Sequence, residues 1–471
     1  MTLSANFAET DITGLTCDSR QVRPGFLFAA FPGSVADGRQ FITDAVSRGA
    51  VAVLAAPGTP VDVPALYDAN PRRRYALMAA RFHGAQPTTI AAITGTNGKT
   101  SVASFVRQIW TLLGRQAASI GTLGISAPHL KTTKGLTTPD SVDLHSSLAT
   151  LVDQGVDCLA MEASSHGLDQ YRLDGVNVSV AGFTNLSHDH LDYHGTMESY
   201  LQAKARLFSD VLIRDGVAVL NADDGAYSVL SNIVVNRGCR VVSYGRQADD
   251  IQLIKAQPEA GGQRLTLRVL GDEYEFLLPL AGAFQVENAL CALGLTIASG
   301  AKSADAVKAL HSLQGVPGRL QEITKTITGG TVYVDYAHTP DALANVLDAL
   351  RPHTSGRLHV VFGCGGDRDS AKRPEMGRIA CERADQVIVT DDNPRGEVAA
   401  TIRAEILAAC TMAKEIGDRA EAIRAAIDAL ASGDVLVVAG KGHETGQIVG
   451  DEIRPFDDSD EIRHAVLGGA K

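Results

Sequence analysis

Residues 90–101 read IAAITGTNGKTS, an apolar run that breaks into two glycines, a lysine and a threonine. The strand-like run TTIAAIT (88–94) precedes the break. Behind it, SVASFVRQIWTLLGRQ (101–116) places Val102, Phe105, Val106, Ile109 and Leu113 on one helical face. Glycines let backbone amides approach phosphate oxygens, and the N-terminus of the following helix adds its positive dipole end. Lys99 would reach the β- and γ-phosphates, and the Thr100 hydroxyl would ligate Mg²⁺. One position departs from the general motif: Ile93 stands where a glycine is usual, five residues before Gly98. A plain glycine turn from strand to helix is the alternative; the Gly-Lys-Thr context favours nucleotide binding.

The same alternation of short apolar runs and helical patterns continues along the chain, which predicts an α/β fold with mainly parallel sheets. At 471 residues the chain is too long for one core. Three domains are expected, at 1–86, 87–316 and 317–471. The central one is a P-loop-type ATPase domain with a parallel sheet. The alternating stretches IQLIKA, RLTLRVL and EYEFLLPL between Asp250 and Leu280 read as a small antiparallel set within it. The last domain is Rossmann-like, with strands TVYVD, RLHVVFG, DQVIVTD and DVLVVAG and the helix PDALANVLDALR.

Composition bounds the function. Lys and Arg total 43 against 54 Asp and Glu, a net charge of −11 that argues against a nucleic-acid-coating protein. A local basic pocket for one anionic ligand is compatible with it. The seven cysteines are scattered with no CxxC pair, so neither a zinc knuckle nor a disulfide framework is expected. No signal-like N-terminus and no apolar run near ~18 residues occur, so a cytoplasmic protein without membrane insertion is expected.

Polar residues gather at strand ends. CLAMEASSHGLDQYR delivers Glu162, which would hold Mg²⁺ beside a phosphate loop or cap a helix. VAGFTNLSHDHLDYHG ends in Asn185, His188, Asp189, His190 and Asp192, a ligand set or a structural loop. In TMESYLQAKARLFSDVL, Lys204 shares a helical face with Tyr200, Leu207, Phe208 and Val211. A lysine there either snorkels to water or, desolvated, favours its neutral amine, which can take up CO₂ as a carbamate. Arg368 (in GGDRDS) and Arg395 (in DDNPRGE) end third-domain strands, either paired with acids or poised for a carboxylate ligand.

ITGTNGKTS, DHLD and GKGHE together resemble the Mur ligase family, ATP-dependent enzymes that add amino acids to the peptidoglycan precursor and to which folylpolyglutamate synthase is related. The resemblance runs the length of the chain. It implies ATP contacts at Gly95, Thr96, Asn97, Gly98, Lys99, Thr100, Ser101, Asn288, Arg319, Asp335 and His338. Two Mg²⁺ ions are implied, with Thr100, Glu162, His190 and carbamylated Lys204 (N6-carboxylysine) as ligands, and Lys99, Glu162, His190 and Lys204 as the catalytic set. The segment TCDSRQVRPGFLFAAFPGSVADGRQF is similar to the family's uridine-binding domain, implying UDP-sugar contacts at Cys17, Ser19, Ser34, Val35 and Ala36. Thr137, Thr138, Ser164, Gln170 and Arg172 match residues that grip the muramoyl peptide.

The tetrapeptide Asp392-Asn393-Pro394-Arg395 resembles the signature of family members specific for meso-diaminopimelate, and Arg368, Gly440 and Glu444 match further contacts with that amino acid. Lysine lacks the distal carboxylate, so its binding would leave Arg395 without a partner, a difference that discriminates by about 10⁴-fold. The implied reaction is ATP-dependent addition of meso-diaminopimelate to UDP-N-acetylmuramoyl-L-alanyl-D-glutamate through an acyl phosphate, by a monomer, with small molecules as its partners. A lysine-adding ligase, a folylpolyglutamate synthase-like ligase and a nucleotide-binding switch protein are the competing readings.

Overall fold

The computed structural model of the chain describes residues 11–33, 36–128, 136–259 and 261–468. They form two compact units: Met1–Gln252 with Arg268–Asp272 and Asn288–Ala309, and Leu253–Leu267 with Glu273–Glu287 and Leu310–Lys471.

The first unit opens with a four-stranded parallel sheet in sequence order: β1 (Gly14–Thr16), β2 (Phe26–Ala30), β3 (Ala52–Ala55) and β4 (Ala65–Tyr67). Successive strand residues point to opposite faces. Leu27 and Leu54 therefore pack on Tyr75 and Met78 of the helix Pro71–His83, while Phe28 and Val53 pack on Ile42 from the other side.

A larger sheet follows, from β5 (Thr89–Thr94), β6 (Ala117–Gly121), β7 (Gly124–Ser126), β8 (Cys158–Glu162), β9 (Val178–Phe183), β10 (Leu212–Asn221) and β11 (Arg240–Gly245). These seven of its strands run in the order β11-β10-β9-β5-β8-β6-β7, parallel except for β7. The first strand, β5, lies in the middle because its near-continuous apolar run is buried on both faces. Behind it the helix Lys99–Leu112 sinks Val102, Phe105, Val106 and Ile109 completely, as the sequence pattern predicts; Leu113 lies just past the helix end and is half-buried. The expected alternating set appears as β12 (Ile251–Glu259), β13 (Gly262–Val269) and β14 (Asp272–Leu278).

The second unit contains a six-stranded sheet: β15 (Gln321–Lys325), β16 (Thr331–Asp335), β17 (Leu358–Phe362), β18 (Gln386–Val389), β19 (Lys414–Glu415) and β20 (Val435–Ala439), ordered β15-β16-β20-β17-β18-β19. All neighbours are parallel except β15 with β16. Helices Pro340–Leu350 and Lys372–Arg383 cover one face, and Arg419–Asp428 covers the other. A two-stranded hairpin, β21 (Gly446–Val449) with β22 (Glu452–Pro455), follows β20.

One expectation is corrected here. Cys381 and Cys410 form a disulfide. They lie 29 residues apart, and the packing of Lys372–Arg383 against Ala399–Leu407 brings their Cα atoms to 5.6 Å, inside bridging range. No spacing in the sequence signals that approach. Cys158, Cys239, Cys291 and Cys364 are buried free thiols, as expected of small core residues.

Candidate active site

The loop between β5 and the helix Lys99–Leu112 is shaped by neighbours that leave no room for side chains. A Cβ on Gly95 would stand 1.9 Å from Thr184 Oγ1, and one on Gly98 (φ +87°) would stand 2.2 Å from Asn288 Oδ1. Both positions require glycine. Asn288, expected at the adenine, thus abuts the loop. Asn185, just past the end of β9, braces it, its Oδ1 accepting from the Asn97 amide at 2.9 Å and its carbonyl from the Thr96 amide at 2.8 Å. Lys99 Nζ folds back to donate to the carbonyls of Gly95 (2.9 Å) and Thr96 (2.7 Å).

Glu162 closes β8 and is buried. It accepts from Thr100 Oγ1 (3.1 Å), the Thr122 amide (2.8 Å) and Thr122 Oγ1 (3.3 Å). The carboxylate is therefore no helix cap; it joins the phosphate loop to the end of β6. Thr122 also bonds Thr137 (3.0 Å), while Thr138 bonds Ser164 (3.0 Å) and the Glu162 carbonyl (3.0 Å). Arg172 extends the chain, donating to the Thr138 carbonyl and Gln170 Oε1, both at 2.7 Å. Residues expected at metal and at precursor thus share one continuous network. Thr122 was not foreseen; its only signal is a polar residue just past a strand.

Lys204 is 1% exposed and does not snorkel. Its Nζ donates to the Gly95 carbonyl (2.9 Å) and lies 4.0 Å over the Tyr200 ring. Burial, with the Lys99 charge nearby, pushes its pKa down to about 6. His190 sits in a left-handed turn (φ +52°), close to Asp189 and half-exposed, with its ring 6.2 Å from that of Tyr200. Tyr200 therefore contacts both. Among the described residues no three His, Cys, Asp or Glu side chains converge on one point. A hydroxyl and a carboxylate oxygen at Thr100 and Glu162 nevertheless suit Mg²⁺, which keeps waters and phosphate oxygens as its other ligands.

A cavity of about 850 Å³ is lined by Cys17, Ser19, Ala36, Gln170 and Arg172, bringing five expected precursor contacts together. Ser34 and Val35 lie outside the described residues. Arg72, Tyr75 and Asp140 line it too and were not foreseen. The guanidinium of Arg72 stacks 4.6 Å over the Phe31 ring.

In the second unit, Asp335 ends β16 and accepts from the amides of Leu320 (2.6 Å) and Ala337 (2.8 Å). Its burial raises its pKa to about 6 despite the nearby Arg319 charge. Arg319 stacks 4.8 Å over Tyr336, and His338 Nδ1 lies 2.8 Å from the Tyr336 carbonyl. These three expected nucleotide residues share one corner at the carboxyl end of the sheet. Arg395 (φ +49°) reaches the carbonyls of Gly366 (2.9 Å) and Asn393 (3.4 Å), and no acid among the described residues pairs with it. Arg368 is exposed on the loop after β17. Asp392, Asn393 and Pro394 are buried. Gly440 (φ +114°) lets the chain pass Asp392, whose Oδ2 a Cβ would meet at 2.7 Å. Asn393 Nδ2 donates to Glu444 Oε2 at 2.9 Å.

Three family models match along the chain: Mur ligase family, catalytic domain (11–82), Mur ligase middle domain (93–296), and Mur ligase, glutamate ligase domain (318–442). The chain is 53% identical to a UDP-N-acetylmuramoyl-L-alanyl-D-glutamate–2,6-diaminopimelate ligase of Caulobacter vibrioides, covering 97% of this chain and 96% of the relative. It is 54% identical to the Rhizobium meliloti protein of that name, covering 99% and 96%. A solved structure of a ligase so named superposes with a TM-score of 0.77 at 34% identity, covering 100% and 98%. A MurF ligase of Thermotoga maritima in complex with ADP shares the fold at a TM-score of 0.63, with 19% identity and 98% of each chain covered.

Proposed function

The chain belongs to the Mur ligase family, and on that premise we propose that it joins meso-diaminopimelate to the D-glutamate of UDP-N-acetylmuramoyl-L-alanyl-D-glutamate in peptidoglycan synthesis, with ATP as cosubstrate. The observation that carries the substrate is Arg395, a guanidinium held among the described residues by backbone carbonyls alone, in the same loop as the Asn393 that bonds Glu444. A carboxylate ligand pairs with the first and an ammonium with the last.

ATP transfers its γ-phosphoryl group to the D-glutamate γ-carboxylate, giving an acyl phosphate. The amine then attacks the carbonyl carbon, and phosphate leaves from the tetrahedral adduct. Lys99 binds the transferring phosphoryl group, and Asn288, Arg319, Asp335 and His338 hold the nucleotide. Thr100 and Glu162 would hold one Mg²⁺, and His190 with Lys204, carbamylated by CO₂, would hold a second. Bound Mg²⁺ offsets phosphate charge. Cys17, Ser19, Ala36, Thr137, Thr138, Ser164, Gln170 and Arg172 bind the UDP-muramoyl dipeptide, and Arg368 and Asp392 to Arg395 bind the amino acid. No side chain forms a covalent bond to substrate, so catalysis is positioning and charge stabilisation. The domains divide at 1–86, 87–316 and 317–471, and the protein is a cytoplasmic monomer.

Phosphate release from ATP with the UDP-muramoyl dipeptide tests the reading, comparing meso-diaminopimelate, L-lysine and no amino acid. Release only with diaminopimelate is expected. Release with lysine alone would reassign the amino acid, and release with neither would remove the ligase.

A further inference from the structure

Lys441 follows the last strand of the second-unit sheet and is 0% exposed. A buried ammonium is tolerated only when its donors are satisfied. Here Nζ donates to Asn393 Oδ1 (3.1 Å), Glu444 Oε2 (3.1 Å) and the Gly446 carbonyl (2.6 Å), using all three N–H groups. Two of these acceptors also bond one another, through Asn393 Nδ2 and Glu444 Oε2 at 2.9 Å. Lysine, asparagine and glutamate thus form a closed triangle.

The triangle fixes more than charge. Asn393 Oδ1 accepts from both Lys441 and the Ile448 amide (2.9 Å), which determines which end of the amide is oxygen and turns Nδ2 toward Glu444. Both donors to Glu444 land on Oε2; among the described residues none reaches Oε1. Burial alone would raise the Glu444 pKa, but Asn393 and Lys441 hold it below the ordinary value, so the group stays an anion. The Glu444 side chain is one-third exposed, and its Oε2 is the anchored oxygen.

We infer that Lys441 is a positioning residue for the amino-acid substrate, holding Asn393 and Glu444 so that Glu444 Oε1 receives the ligand's distal ammonium while Lys441 itself touches no ligand. This role rests on the functional reading above and assigns the geometry behind its selectivity. A lysine of purely structural importance would affect every substrate alike.

The test uses the full-length protein and measures KM for meso-diaminopimelate, ATP and the UDP-muramoyl dipeptide by phosphate release. Lys441→Met is expected to raise KM for diaminopimelate by about tenfold or more while the other two KM values stay within about twofold. Lys441→Arg keeps a buried cation, but its planar head cannot serve the same three acceptors, so the same selective rise is expected if the Met variant does not fold. An equal rise for all substrates, no rise, or failure of both variants to fold overturns the assignment. If the unaltered protein shows no diaminopimelate-dependent release, the functional reading falls and this role with it. Dependence in the unaltered protein with an unchanged KM in the variants removes this role alone.

Discussion

Lys204 Nζ lies 2.9 Å from the carbonyl oxygen of Gly95, so a buried amine is held against the backbone of the phosphate loop. Its pKa of about 6 sits far below the usual lysine value of 10.5. Below about pH 6 both folded and unfolded chains carry the proton, and the cost of burying the charge is complete. Between 6 and 10.5 the unfolded chain binds the extra proton, so stability contributed at this site rises with pH. In CO₂-free buffer, Lys204→Met should raise the melting temperature at pH 6 and lose that advantage by pH 10. A melting profile with the same pH slope in both proteins would contradict the shift.

Added bicarbonate should stimulate ligase activity of the unaltered protein at pH 8, where the amine is neutral, and leave Lys204→Ala untouched at an activity lower by about 10²-fold or more. Full activity in the variant would remove the carbamate.

Gly121 leaves the space that the Glu162 carboxylate fills. An added Cβ would lie 2.0 Å from Oε1 and 2.5 Å from Cδ. Gly121→Ala should displace the carboxylate from Thr100 and raise the Mg²⁺ concentration needed for half-maximal activity by about tenfold or more. A magnesium titration checks it; an unchanged midpoint would separate Glu162 from the metal.

Arg395→Ala should lower the preference for diaminopimelate over lysine by about 10²-fold or more, chiefly through the diaminopimelate kcat/KM. Competition between the two amino acids measures it. An unchanged ratio would place the distal carboxylate elsewhere.

Asp335 makes the opposite pH statement to Lys204. Its folded pKa of about 6 lies above the ordinary aspartate value of 3.8 because burial disfavours the anion. Its contribution is complete below 3.8 and is lost as pH rises through about 6. Asp335→Asn should flatten the stability profile across that window while weakening ATP binding, read by calorimetry at pH 7.5.

The sequence disclosed the parts whose order along the chain carries the chemistry. Strand, Gly-Lys-Thr and helix identify the loop without any long-range information, and Glu162 was legible as a polar residue ending an apolar run. What stayed hidden depends on pairing between distant segments. The last strand of the six-stranded sheet, β20, inserts between β16 and β17, an order no local pattern encodes. Lys441 carries no local signal, because its acceptor Asn393 lies 48 positions away. Thr122 and Arg72 belong to no motif and gain meaning only from Glu162 and the Phe31 ring. The Cys381–Cys410 bond was missed for the same reason.

The folded-back Lys99 has a consequence for nucleotide choice. Its ammonium donates to the carbonyls of Gly95 and Thr96, so these two backbone oxygens compete with any anion for it. A ligand gains from this lysine only the amount by which its oxygens outbid two backbone acceptors. A monophosphate offers little advantage over them, whereas the clustered charge of a triphosphate tail offers a large one. With Lys99 meeting the nucleotide as proposed, discrimination by phosphate number follows from the loop's own carbonyls.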